Sequence, residues 1–261
     1  MTVPNRPSAL VTGATAGIGR EFALQLARAG YDLILVARDA DRLTALASEL
    51  QSAHPIQVTR LVADLSHDAD TSRVVAHLAA HPVDLLVNNA GFGQAGRVGL
   101  IDHAKQDAMV RLHVLAVHRL TQAALPAMLE RGSGSVIVVA SVASFLTSAG
   151  NVNYCATKAY DRMFAEGLAL EAGPHGVYVQ ALCPGFTHTE LHARAGVDKT
   201  RWPAWMWMRA DRVVATSLAA MRAGRPTVVV PGWVYRVLVF FMRYAPRWLL
   251  VRGTRRYRRD R

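Results

Sequence analysis

The chain has 261 residues, 30 Lys+Arg against 19 Asp+Glu for a net charge of +11, and a 51% apolar content. That balance excludes a disordered or collagen-like chain and suits one large domain or two small ones with ample length for a core. The two cysteines, Cys155 and Cys183, form neither a CxxC pair nor a metal-ligand cluster, which excludes a disulfide scaffold and points to a reducing compartment.

The chain opens on Met1 to Pro7, polar and proline-containing, and its first apolar run, Ala9–Val11, is far too short for a signal sequence. A soluble, cytoplasmic body is the expectation. Beyond it, short runs rich in Val, Ile and Leu alternate with helical patterns. Strands are predicted at Ala9–Thr12, Asp32–Ala37, Gln57–Ala63, Leu85–Val87, Ser135–Ala140, Tyr178–Leu182 and Thr227–Val230. Helices are predicted at Gly17–Ala29, Arg42–Ser52, Asp70–Ala80, Ala104–Arg131, Tyr154–Ala172 and Ala210–Ala223. Leu35-Val36 and Val136–Val139 are continuously apolar, as in strands buried on both faces. Strict alternation implies an α/β single domain: a doubly wound parallel sheet of about seven strands with helices on both faces.

Thr12-Gly13-Ala14-Thr15-Ala16-Gly17-Ile18-Gly19 joins the first strand to the first helix. Glycines there let the backbone approach a pyrophosphate, which the helix N-terminus stabilises. The spacing is GxxxGxG, and no Gly-Lys-Ser/Thr follows to make a phosphate loop of the NTPase type. The second strand ends Val36-Ala37-Arg38, where a ribose would arrive. A guanidinium there suits a 2′-phosphate and favours NADP(H), although neighbouring Asp39 keeps NAD(H) open. Asp64-Leu65, closing the third strand, either meets an adenine edge or caps the following turn.

Tyr154-Cys155-Ala156-Thr157-Lys158 sets a phenol and an ammonium four residues apart, on one helix face. A phenol ordinarily titrates near ~10, and a neighbouring ammonium that stabilises phenolate makes it a usable general acid/base. Ser141 stands thirteen residues before Tyr154, at the carboxyl end of the strand Ser135–Ala140. With Thr12–Gly19, Asp64, Asn88-Asn89-Ala90-Gly91, Pro184-Gly185 and Thr187, these residues resemble, in order and spacing, the short-chain dehydrogenase/reductase family of the NADP-dependent ~250-residue type. The resemblance spans residues from about 8 to 190. It implies a single-domain Rossmann fold and a role for each position. Tyr154 would exchange a proton with the carbonyl oxygen, Ser141 would orient that oxygen, and Lys158 would support Tyr154 and bind the nicotinamide ribose. Gly13, Thr15, Gly17, Ile18, Gly19, Arg38, Asp64 and Leu65 would hold the adenosine half of the cofactor. Asn89, Ala90 and Gly91 would line the cleft, and Pro184, Gly185 and Thr187 would hold the carboxamide.

The family usually has Asn where this chain reads Leu112-His113-Val114. His113 would either take over the proton relay of that Asn or be a packed histidine. A metal site at His188 and His192 is not expected. Gly132-Ser133-Gly134-Ser135 precedes a strand instead of following one, so a hydrolase elbow fails.

Residues 188–209 fall where the family places a substrate lid. Trp202-Pro203-Ala204-Trp205-Met206-Trp207-Met208, with Phe145 and Leu146, either surrounds a long apolar substrate or packs the lid and subunits. Residues 233–261 hold nine arginines against Asp260, a local charge of +8 that leaves +3 for residues 1–232. The basic excess is thus a tail rather than a nucleic-acid groove, and no nucleic-acid partner is expected. Arg236, Arg243 and Arg247 share a helix face, interrupted at Pro246, while Val237–Met242 is too short to span a bilayer. This extension, resembling the branch of acyl-chain and steroid ketone reductases, would lie peripherally on an anionic membrane or pack on the body before a solvated end. The organisation expected is a dehydrogenase/reductase body over 1–232 and a hydrophobic–basic extension over 233–261, assembled as a homodimer or homotetramer. The expected function is an NADP(H)-dependent oxidoreductase interconverting an apolar ketone and a secondary alcohol. The alternative is a non-catalytic redox sensor or membrane-surface scaffold.

Overall fold

A computed structural model describes residues 6–190, 203–244, Pro246 and Trp248. Its first strand, β1 (Ser8–Thr12), is buried from Ala9 onward and pairs with strands on both sides, β2 (Asp32–Ala37) and β4 (Leu85–Asn88). With β3 (Val58–Val62), β5 (Gly134–Val139), β6 (Val177–Leu182) and β7 (Val228–Val229) they form one parallel sheet in the order β3-β2-β1-β4-β5-β6-β7. The chain winds outward from β1 to β3 and then restarts at β4 on the other side. The carboxyl ends therefore diverge between β1 and β4, where open α/β sheets bind ligands.

Successive side chains leave a strand on opposite faces, so each strand feeds two cores. Ala9 and Val11 join Leu33, Leu35, Leu85, Val87 and Ile137 on one face, under α1 (Gly17–Arg28), α2 (Ala40–Ala53) and α7 (Ala210–Arg222), which contribute Phe22, Leu26, Leu43, Leu50, Val213 and Leu218. Leu10, Val36, Leu86, Val136 and Val138 face the other way, against α3 (Asp68–Ala80), α5 (Val117–Glu130) and α6 (Val152–Ala172), which contribute Val74, Leu78, Leu120, Ala124, Met128, Ala165 and Leu168. The expected doubly wound fold is the one observed.

Two elements differ from their prediction. The helix expected over Ala104–Arg131 is α4 (His103–Val110), a π-helical turn (Arg111–Ala116) and α5. Apolar spacing cannot reveal a widened turn, because the residues on either side keep their inward faces. The predicted Thr227–Val230 strand shrinks to Val228–Val229, which pairs only with Ala181 and Leu182 of β6 at the sheet edge. A last helix, α8, covers Trp233–Tyr244 and ends before Pro246, while Arg247 and Arg255–Arg261 lie outside the described residues.

Candidate active site

The turn after β1 is shaped by glycines that other residues could not replace. Gly13 (φ 65°) and Gly17 (φ 53°) are left-handed, and a Cβ on Gly13 would come within 2.9 Å of Asn89 Nδ2. A Cβ on Gly19 would collide with the Gly13 carbonyl and the Asn89 amide. Thr15 and Ile18 are half-buried beside them. The N-cap of α1 is Ala16, which has no side-chain acceptor, so the first N–H groups of α1 carry no side-chain cap at the β1–β4 crevice. Thr12 fastens the next turn to this one: its Oγ1 accepts the N–H groups of Asn89 (2.8 Å) and Ala90 (2.9 Å), and Asn89 Nδ2 donates to Thr12 O at 2.8 Å.

Arg38, just past β2, is 65% exposed and its Nη1 lies 3.3 Å from Asp64 Oδ2. Asp64 Oδ1 accepts the Ser66 N–H (3.0 Å) and hydroxyl (2.7 Å), so this carboxylate organises its own turn. Burial pushes the Asp64 carboxyl up, but the hydrogen bonds from Ser66 and the Arg38 charge outweigh it and hold it below its ordinary value. Leu65 is buried in the core beside Val36 and Val74. Arg42 forms a two-pronged pair with Glu190, joining the start of α2 to the segment that follows Thr187.

At the far side of the crevice, Ser141 follows the end of β5 and its Oγ accepts the Ala143 N–H at 3.1 Å, capping a 3-10 turn (Val142–Phe145). Val142 N donates to Pro184 O at 3.0 Å, which joins this turn to the loop after β6. Tyr154 and Lys158 sit one turn apart on α6. Lys158 Nζ donates to Val139 O and to Asp161 Oδ2, each at 2.8 Å. An ammonium has three donors, so these bonds leave one N–H for a ligand. Burial pushes the Asp161 carboxyl up to about 6 against the opposing pull of Lys158, and its Oδ1 has no hydrogen-bond partner.

His113 lies on the π-turn and is fully buried. Its Nε2 accepts the Phe92 N–H at 3.1 Å, so that nitrogen is unprotonated and Nδ1 carries the hydrogen. Nδ1 then donates to Thr157 Oγ1 at 3.0 Å, and Thr157 Oγ1 donates to Tyr154 O at 3.1 Å. Burial, with Lys158 second, holds the imidazole well below its usual range and keeps it neutral. Its ring stands edge-on to Tyr154 at 5.9 Å. Gly91 is small for the same reason: a Cβ there would lie 2.9 Å from His113 Nε2. The structure thus gives His113 a bridging position between Phe92 and Thr157.

The loop after β6 is held by Tyr235 of α8, whose Oη accepts the Phe186 N–H (3.0 Å) and donates to Met206 O (2.7 Å). A Cβ on Gly185 would run into the Tyr235 ring. Thr187 Oγ1 donates to Gly185 O at 3.0 Å, and Thr187 bridges to Met208 in parallel fashion. Trp207 is buried and stacks on Phe186 at 5.1 Å, while Trp205 is 67% exposed. Residues 191–202 of the expected lid, including His192 and Trp202, lie outside the described residues. His188 packs near Trp207 at 5.5 Å, and among the described residues no group of three His, Cys, Asp or Glu could hold a metal.

Thr157, Asp161 and Tyr235 of this site had no role assigned from the sequence, nor had Thr12, although it opens the glycine motif. Asp161 left a signal, a carboxylate three residues after Lys158 and so on the same helix face.

The fold and the two glycine-bearing turns at its switch point define a dinucleotide-binding oxidoreductase of the Rossmann class. A family model for short chain dehydrogenase matches residues 7–200, and the chain belongs to that family. It is 36% identical over 203 residues to a very-long-chain 3-oxoacyl-CoA reductase of Pyrenophora tritici-repentis, an alignment covering 76% of this chain and 59% of that one. The chain therefore spans little more than half the length of that relative. A gluconate 5-dehydrogenase of Gluconobacter oxydans is 32% identical over 241 residues, 88% of this chain and 92% of that one. Among solved structures, a short-chain dehydrogenase from Sphingobium yanoikuyae in complex with NADPH superposes with a TM-score of 0.83 at 35% identity, covering 96% of this chain and 93% of the other. The bulky-bulky ketone specific alcohol dehydrogenase from Comamonas testosteroni superposes with a TM-score of 0.79 at 31% identity, covering 98% and 97%.

Proposed function

We propose that the protein is an NADP(H)-dependent enzyme that interconverts an apolar ketone, of 3-oxoacyl, lipid or steroid-like type, and its secondary alcohol. The observation that carries the reading is that one short segment, residues 89–92, is tied at one end to the glycine turn and at the other to the Tyr/Lys helix. Thr12 accepts the N–H groups of Asn89 and Ala90, and Phe92 donates to His113, which donates to Thr157, which donates to the carbonyl of Tyr154. A dinucleotide turn and a Tyr/Lys helix tied to one segment are held in register for a two-part reaction.

The residues present fit the cofactor. Gly13, Gly17 and Gly19 hold the turn close against Asn89, Thr189 and its own carbonyl, where a Cβ would collide, the first turn of α1 offers N–H groups without a side-chain cap, and Lys158 keeps one donor. When bound, the nicotinamide supplies or receives the hydride. Tyr154 gives its hydroxyl proton to the carbonyl oxygen during reduction and takes one from the alcohol during oxidation. Ser141 donates to the same oxygen and fixes its direction. Lys158 stabilises the phenolate electrostatically and holds the ribose. Arg38 takes the 2′-phosphate, with the NADPH of the Sphingobium relative in support. Trp205, Met206 and Trp207, with Phe186 stacked on Trp207, put apolar surface within and beside residues 188–209 and favour an apolar ketone; the Comamonas relative, specific for bulky-bulky ketones, supports a ketone as substrate. Residues 1–232 act as the catalytic body, and Tyr235 of α8 fastens its Phe186 and Met206 loops. The exposed Val152, Met163 and Leu170 of α6 support pairing of that helix with a second copy.

A ketone panel graded by chain length and ring system, read by NADPH consumption, tests the reading. Tyr154→Phe is expected to keep NADPH binding and to lose turnover by roughly 10²–10⁴-fold. Tight NADPH binding by the unaltered protein with no turnover on any ketone would overturn it in favour of a sensor.

A further inference from the structure

The helix α8 has two opposed apolar faces. Tyr235 and Val239 are buried against the body, with Leu238 and Met242 half-buried beside them. Trp233, Val237, Phe240, Phe241 and Tyr244 are between 47% and 75% exposed. At 3.6 residues per turn these five fall within an arc of about 100° centred roughly opposite Tyr235 and Val239. The exposed arc is a packed aromatic surface, with Phe240 against Phe241 at 5.9 Å and against Tyr244 at 4.8 Å. Arg236 and Arg243 run along one edge of it. Trp248, just beyond the helix, is exposed as well.

We propose that this face of α8 lies in the headgroup layer of an anionic bilayer, with Trp233, Phe240, Phe241 and Tyr244 immersed and Arg243 facing lipid phosphates. Charge decides between the partners that an aromatic face admits. Residues 233–261 hold nine arginines and one acid, so pairing two copies through this face brings two segments of +8 together. An anionic surface instead meets the same arginines with opposite charge and takes amphipathic rings at its interface. The helix lies on the surface and does not cross: among the described residues no helix is long and apolar enough to span a membrane. The placement also bears on substrate entry. Through Tyr235, α8 holds both Phe186 and Met206, and the exposed Trp205 adjoins Met206. A docked α8 thus brings the substrate end to the phase into which an apolar ketone partitions. This last step rests on the proposed activity, whereas the docking itself does not.

Cosedimentation of the full chain with vesicles tests it, using phosphatidylcholine alone and phosphatidylcholine with one-third phosphatidylglycerol. The expected result is partition onto the anionic vesicles about tenfold or more above the neutral ones, weakened by salt and reduced at least ~10-fold in Phe240→Ser/Phe241→Ser. Circular dichroism and turnover of a water-soluble ketone should be unchanged in that variant. Arg243→Glu, which leaves every apolar contact in place, should lose the preference for anionic vesicles. Equal binding to both vesicle types, or binding that survives the double substitution, overturns the proposal. A lipid-free dimer seen by sedimentation velocity and dissociated by Phe240→Ser/Phe241→Ser also overturns it and assigns the face to a second copy. Because partition is measured without turnover, an inactive protein that still binds anionic vesicles separates the failure of the activity from that of the docking.

Discussion

Lys158 Nζ and Asp161 Oδ2 are 2.8 Å apart, with side chains only 7% and 0% exposed, inside the helix that carries Tyr154. A carboxylate so placed loses more in hydration than the ammonium returns, which is why its proton is held up to about 6. The pair therefore acts on Lys158: it anchors Nζ toward the end of β5 and offsets a charge that would otherwise stand unpaired in the core.

The sign of the pH effect follows. The folded chain holds the Asp161 proton more tightly than an unfolded chain, whose Asp releases it near ~3.9. Its contribution to stability is full below that value and is lost as pH rises through about 6. Asp161→Asn lacks this slope. Urea unfolding from pH 4 to 7 should show the variant gaining on the unaltered protein by roughly 2–3 kcal/mol. Turnover, in contrast, should fall about tenfold as Lys158 loses its anchor. A flat stability difference would mean that the carboxyl titrates normally.

His113 works in the opposite direction. Its imidazole is held neutral by burial and by Lys158, so the unfolded chain binds its proton more readily. The stability involved is present above about 6.5 and is lost as pH falls below it. His113→Ala leaves the Phe92 N–H buried without an acceptor and should cost ~1–3 kcal/mol, a fall of roughly 2–12 °C in melting temperature. His113→Asn offers an acceptor and should retain most turnover. Equal turnover in all three proteins would count against any role in holding α6.

Arg38→Ala tests the phosphate end. It should weaken NADPH binding about tenfold or more while leaving NADH nearly unaffected, as read by fluorescence titration of each. The side chain is exposed and its pair with Asp64 is surface-screened, so little stability should change. Parallel losses for both cofactors would remove Arg38 from phosphate recognition.

Tyr235→Phe deletes one hydroxyl and with it two bonds, from Phe186 N–H and to Met206 O. With both of these bonds lost from the loop, we expect a loss of ~1–3 kcal/mol in stability and a rise in KM for the ketone larger than the change for NADPH. A change in KM for NADPH alone would show that the loop serves only the cofactor.

The doubly wound sheet, the glycine turn, and the positions of Ser141, Tyr154 and Lys158 were all legible in the sequence. They depend on local spacing: period-2 and period-3.6 apolar patterns, glycines between a strand and a helix, and two groups four residues apart on α6. The breaks at Arg111–Ala116 and the shortness of β7 were not legible, since a π-turn preserves the apolar pattern and a strand's length depends on what its neighbour offers.

The remaining contacts join residues far apart in the chain. Thr12 meets Asn89, His113 meets Phe92 and Thr157, and Tyr235 meets Phe186 and Met206, across separations of 21 to 77 residues. Local pattern establishes which side chains a helix or strand turns inward. It does not say which partner waits there, because a buried polar group is satisfied by whatever donor or acceptor the packed sheet brings within about 3 Å. The candidate site was thus written in short motifs, and the tertiary fold alone decided that His113 bridges and that Asp161 shares the charge of Lys158.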